Sequence, residues 1–241
     1  MVGDTKELHD TGQLILPQIS TIFTTNNNIV AMKYYCLVLV ALASAPLAAV
    51  AGDPDILTDF VIPNMYGISP MNITGDFFTY TGFRVTDEIM PWPPRYFIAM
   101  KAGMEAFPAL NGQSVSYAKL VFPPEYVNPP HTHPRAAELL FVLNGALSVG
   151  FVDTAGKLYT QDLSAGDMFV FPKGLVHYQY NQGQSPAIAL SAFGSASPGT
   201  VNVPASVFGA GIGNVVLAKS FKTDFWTVHK LKAALTPPPN K

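Results

Sequence analysis

The chain has 241 residues, 49% hydrophobic and 12% charged, with a formal net charge of -2. Soluble domains carry about 25% charged residues, so charge is sparse, and no basic excess exists to neutralise a phosphate backbone, which excludes an electrostatic nucleic-acid binder. One cysteine excludes an intramolecular disulfide and a Cys-cluster zinc site, and 19 glycines with 21 prolines but no short repeat exclude collagen-like and low-complexity classes.

Residues Met1–Ala31 sustain no apolar periodicity, and Thr24–Asn28 is a polar run. The pattern changes at Met32. Lys33 precedes an apolar, small-residue run from Tyr34 to Ala51 that closes on Ala49-Val50-Ala51. A basic start, an apolar core and small residues at the minus-three and minus-one positions match a secretory signal. The run is barely long enough to span a bilayer, and Pro46 with its small neighbours fits cleavage after Ala51 better than an anchor. The expected organisation is an N-terminal extension over 1–31, a signal peptide over 32–51 and one domain over 52–241, with no membrane contact after cleavage. Cys36 leaves with the signal, so the domain must hold together without a disulfide.

From Val115 onward, short apolar runs alternate with turn residues. Val115–Phe122 alternates weakly. Leu139–Leu143 ends at Asn144-Gly145, a strong hairpin signal. Leu147–Val152 ends at Asp153-Thr154-Ala155-Gly156, Met168–Phe171 at Pro172-Lys173-Gly174, Val176–Tyr180 at Asn181-Gln182-Gly183, and Ala187–Phe193 at Gly194. Strands at this spacing predict an all-β sandwich or barrel. Runs apolar on both faces predict that its outer wall is covered too. Helix is expected only late: Val215–Ser220, then Thr223–Leu235 with Thr223 as N-cap and Phe225, Val228, Leu231 and Leu235 along one face. Pro237-Pro238-Pro239 cannot continue it.

His131-Thr132-His133 places two imidazoles at i and i+2, which point to the same face of a strand. Glu138 begins the Leu139–Leu143 run among apolar neighbours, and a buried carboxylate needs a charge partner or a metal. His177 lies within Val176–Tyr180, on a strand that a hairpin relationship can set opposite the first pair. Residue chemistry alone leaves two readings open, a metal site and ordinary packed or surface histidines, because a His-x-His pair recurs by chance.

Two longer stretches carry a resemblance. Pro129–Gly145 is similar to the first sequence box of germins and germin-like proteins, and Gly166–Asn181 to the second. The likeness runs from Asp53-Pro54-Asp55 to the C-terminal helical segment and takes in Pro198-Gly199 and Phe208-Gly209. It implies a cupin jelly-roll β-barrel with C-terminal α-helices, and His131, His133, Glu138 and His177 as ligands of one metal, usually manganese. It also implies secretion to a plant extracellular matrix or apoplast, and homohexamers built as trimers of dimers. Three imidazoles and a carboxylate make a mixed nitrogen and oxygen shell, which in an octahedral arrangement leaves two positions for water or a small-molecule substrate. Manganese and iron suit a redox role there, while zinc and copper bind such donors more tightly, so iron, zinc or copper stay open beside manganese.

Several positions depart from that family. Most germins join two N-terminal cysteines; Val61 occupies the first expected position, so the arm is expected to be tethered by packing through Phe60, Val61 and Ile62. Glu125 replaces the usual glycine of the loop Pro123-Pro124-Glu125-Tyr126, a change expected to alter the loop rather than ligation. Oxalate-oxidising germins carry two asparagines near the metal. Asn128 matches one, a position open between supporting the site and a turn residue before Pro-Pro. Ala118 occupies the other, which argues against oxalate oxidation. Asn72-Ile73-Thr74 is an N-glycosylation sequon beside a turn at Ser69-Pro70, and His229 reads as a helix-surface or interface residue, not a ligand.

These residues and the resemblance lead to a secreted metal-dependent oxidoreductase that dismutes superoxide, with Asn128 in a supporting catalytic position. The alternatives are a non-catalytic cell-wall or storage protein that binds a small ligand, and an oxalate oxidase. Only Asp4, Lys6, Glu7, Asp10 and Lys33 carry charge before Gly52, so the charge deficit belongs to the domain. Burial of its surface between subunits is the expected cause.

Overall fold

The computed structural model describes residues 32–33, 52–62, 73–84 and 94–236. The expected extension, the apolar core of the signal and the sequon residue Asn72 lie outside the described residues. Among the described residues, ten strands form two antiparallel sheets of five. One runs β1 (Ile98–Ala102), β2 (Ser116–Phe122), β9 (Ala187–Phe193), β4 (Glu138–Asn144), β7 (Met168–Phe171). The other runs β10 (Val201–Asn202), β3 (Val127–Thr132), β8 (Val176–Tyr180), β5 (Ala146–Val152), β6 (Leu158–Ser164). Alternate side chains of both sheets, Leu120, Phe122, Leu140 and Phe171 from the first and Leu147 and Val149 from the second, bury into one apolar core. This is the double-sheet jelly roll.

Asn144-Gly145 makes no hairpin. β4 pairs with β7 and β9, whereas β5 pairs with β6 and β8. The turn carries the chain from one sheet to the other. Gly145 has φ 78°, and a Cβ there would lie 2.9 Å from Cα of Ala187, so the corner needs glycine for both its angle and its clearance. The dipeptide encodes a tight reversal without encoding which strands pair.

Three helices follow: α1 (Val203–Phe208), α2 (Asn214–Ser220) and α3 (Phe225–Leu235). The cap of α3 is Asp224, one residue beyond Thr223; its carboxylate accepts from the Thr227 amide at 2.9 Å and the Thr227 hydroxyl at 2.8 Å. Of the expected apolar face, Val228 is buried and Leu235 packs on Phe208, Leu217 and Ala218, while Phe225 and Leu231 stay open. α1 escaped the sequence pattern because six residues show no helical period; Asn202 caps it by accepting from the Ala205 amide.

The outer faces of β4 and β7 expose Leu139, Leu143, Met168 and Val170. No described residue of this chain provides the cover expected for that wall. The arm over 52–62 is held by more than packing. Phe60 meets Phe78 edge to face, but Asp53 also accepts from the Ser195 hydroxyl at 2.5 Å and the Ala196 amide at 2.6 Å. Glu125 sits at φ 62°, the left-handed conformation that glycine takes without strain.

Candidate metal centre

β3 and β8 lie side by side with His131 directly opposite His177. The two strands are far apart in the chain, so a long-range pairing and not a hairpin brings the rings together. The register shifts between Asn128 and His131, which absorbs Pro129 and Pro130, residues that cannot donate to a ladder. His133 follows one residue past the end of β3. Glu138 comes from the other sheet, as the first residue of β4 opposite Phe171 and Phe193. One ligand atom of each of the four side chains lies within 4.8 Å of every other, and all four residues are buried.

Each imidazole is oriented by a backbone carbonyl. Nδ1 of His131 donates to Pro129 O at 2.8 Å, Nδ1 of His133 to Gly199 O at 2.5 Å, and Nδ1 of His177 to Leu175 O at 2.9 Å. A carbonyl only accepts, so each Nδ1 carries a proton and each ring turns its Nε2 inward. Nε2 of His133 and of His177 then lie 3.0 and 3.1 Å from Oε2 of Glu138. These are hydrogen-bond and ion-pair distances, and they draw the nitrogen and oxygen atoms together as the donors of a cation are drawn together. Three imidazole nitrogens, each ring oriented by a carbonyl, and one carboxylate oxygen make a donor set that fits a metal cation.

Burial, followed by the neighbouring His177, lowers the pKa of His131 from 6.5 to about 4. Burial by itself would raise the Glu138 carboxyl, but contacts with His133 and His177 outweigh it and hold the group below the usual carboxylate range. The second oxygen, Oε1, accepts from the Ser191 hydroxyl at 2.6 Å and from Nε2 of Gln179 at 3.0 Å. Gln179 in turn accepts from Nδ2 of Asn128 at 2.7 Å. Asn128 is thus a strand residue joined to the site through Gln179, not a turn residue. His229 is exposed on α3, as expected.

His131, His133 and Glu138 open onto a cavity of about 640 Å³ whose wall includes Phe97, Ala118, Leu120, Asn128, Ser191 and Phe193. Sequence reasoning missed Gln179, Ser191 and the three carbonyl acceptors. Gln179 had a usable signal, since it lies two residues after His177 on the same strand face. Ser191 was hidden inside an apolar run. Carbonyl acceptors leave no mark in a sequence.

Comparison with known proteins agrees with this architecture. The cupin family profile matches residues 98–228. The chain is 66% identical over 212 residues to one germin-like protein of Oryza sativa subsp. japonica and 64% identical over 212 residues to another, germin-like protein 9-3; each alignment covers 86% of this chain and 98% of the relative. Among solved structures, an oxalate oxidase matches with a TM-score of 0.69 and 31% identity, over 76% of this chain and 98% of that one. An oxalate oxidase in complex with the substrate analogue glycolate matches with a TM-score of 0.67 and 33% identity, over the same shares. The chain belongs to the cupin family and, within it, to the germin-like proteins.

Proposed function

We propose that this protein is a secreted plant oxidoreductase that holds manganese at His131, His133, Glu138 and His177 and dismutes superoxide. One observation carries the reading: three imidazole nitrogens and a carboxylate oxygen of Glu138 converge, buried, beside an open cavity. Manganese bound there supplies a one-electron redox couple, which the conversion of two superoxide ions and two protons to oxygen and hydrogen peroxide requires. The chain's own residues fix each ring in one tautomer and keep Glu138 ionised. Lys101 and Arg135 on the cavity wall balance Glu105 and Glu138, so a bound manganese ion would leave the wall net positive and favour the approach of an anion.

Elemental analysis and electron paramagnetic resonance of the native protein test the metal, and superoxide consumption tests the chemistry. Stoichiometric manganese with activity is expected. A full metal complement with no superoxide consumption overturns the reading. Secretion is supported by the signal layout of 32–51 and tested by N-terminal sequencing, with Gly52 expected first. Glycosylation at Asn72 is tested by glycosidase treatment and mass measurement. Assembly into hexamers is supported by the apolar outer wall, and a monomer in sedimentation at micromolar concentration refutes it.

The size of the cavity favours a second reading. About 640 Å³ is far more than superoxide needs, and Phe97, Leu120 and Phe193 give the wall an apolar character. A small organic acid or similar ligand would then bind without turnover while the metal stabilises the barrel. Absence of exchangeable water and of any reversible redox change at the metal would support this second reading. Oxalate oxidation is the weaker alternative, because Ala118 offers that wall no amide.

A further inference from the structure

Glu138 has two oxygens in different surroundings. Oε2 faces Nε2 of His133 and His177. Oε1 faces away and takes two hydrogen bonds, from Ser191 and Gln179. The bond from Ser191 is the shorter, at 2.6 Å, within the range of a strong charge-assisted O–H···O⁻ bond. A hydroxyl has one proton to give, and Ser191 gives it to Glu138.

The backbone fixes Ser191 for this task. It occupies the inward face of β9, fully buried, between Ala118 on β2 and Leu140 on β4 in the strand register. Neither flanking side chain carries a donor. Gln179 alone would leave the carboxylate free to swing about its remaining bond. The donors on Oε1 come from both sheets, β9 and β8, so the carboxylate is held from two directions.

We propose that Ser191 is a positioning residue of the metal centre, whose hydroxyl pins Glu138 so that Oε2 alone is presented to the three imidazoles. This rests on the reading of the four side chains as metal ligands and is independent of the reaction they support. Loss of the hydroxyl frees Oε1 to turn toward the ion and changes the symmetry of the field around it.

The test uses the full-length secreted protein loaded with Mn(II), as wild type and as Ser191→Ala, Ser191→Thr and Ser191→Val. Threonine and valine have nearly the same volume, so that pair separates the hydroxyl from packing. Manganese affinity is read by chelator competition and the ligand field by the fine structure of the Mn(II) paramagnetic resonance spectrum. Ser191→Ala and Ser191→Val are expected to weaken binding about tenfold and to shift the fine structure, as changes outside the ligands themselves typically do; Ser191→Thr is expected to keep both near wild type. Equal behaviour of the threonine and valine variants overturns the proposal, as does an unchanged spectrum and affinity in Ser191→Ala. A wild type that holds manganese but leaves superoxide untouched refutes the proposed activity and not the role of Ser191. A wild type that binds no divalent metal refutes both.

Discussion

The interior of the barrel and the C-terminal helices treat burial in opposite ways. Inside, a carboxylate, three imidazoles, two amides and a hydroxyl are enclosed, and almost every polar atom is paired; among the described buried side chains only Thr132 Oγ1 lacks a partner. Across the helical segment, Trp226 and Phe225 are 66% and 57% exposed, and Val215, Val216 and Phe221 are exposed as well. The interior is finished by this chain. The helical exterior presents what an obligate interface would bury. The difference teaches that low charge and missing cysteines act in separate places: the first on the outside, the second offset by polar contacts at the arm.

The largest expected effect breaks the interior side. Phe171 is fully buried and stacks on His177 with ring centroids 4.4 Å apart. Phe171→Ala is expected to cost about 3–5 kcal/mol in chemical denaturation and to loosen the metal, because it leaves a cavity against a ligand ring. Acidification probes the same region in the metal-free protein. His131 takes its proton near pH 4 when folded and near 6.5 when unfolded. The unfolded chain therefore binds more protons between those values, and stability falls as pH drops through that window, by about 3 kcal/mol in all. A flat stability profile from pH 6.5 to 4 would refute the burial of a neutral His131.

Asp53 lies between the two extremes, since it ties the arm over 52–62 to the segment beside the site. Asp53→Ala removes the acceptor of two hydrogen bonds and is expected to cost about 2 kcal/mol, with protease cutting the arm first. The smallest effect on the isolated chain comes from the exterior. Trp226→Ala is expected to change monomer stability by less than about 0.5 kcal/mol. Its sedimentation profile should nonetheless shift toward smaller species. A large loss of monomer stability would show that the comparison between the two regions is drawn in the wrong place.

β7, β8 and β9 were legible to the residue because apolar runs there end on glycine or proline turns. The four candidate ligands were legible because strand period and sequence boxes agree on them. β6 was not, since Leu158–Ser164 is exposed at every position but one and shows no apolar alternation. β3 was legible only at its His131 end, because two prolines interrupt it and a bulge accommodates them. Asp53 and Ser191 were missed for a common reason. Each acts through a partner far away in the chain, and local pattern holds no information about such a partner.

The strand order has a kinetic consequence. Glu138 meets His177 across 39 residues, and Asp53 meets Ser195 across 142. Closing loops of that length costs entropy before any contact returns it, and folds dominated by distant pairings fold slowly. The four ligands come together only when β8 joins β3 and β4 is docked between β7 and β9. A metal ion held by these four side chains would therefore find its site only after the barrel has closed, and would act by slowing the unfolding of the closed barrel.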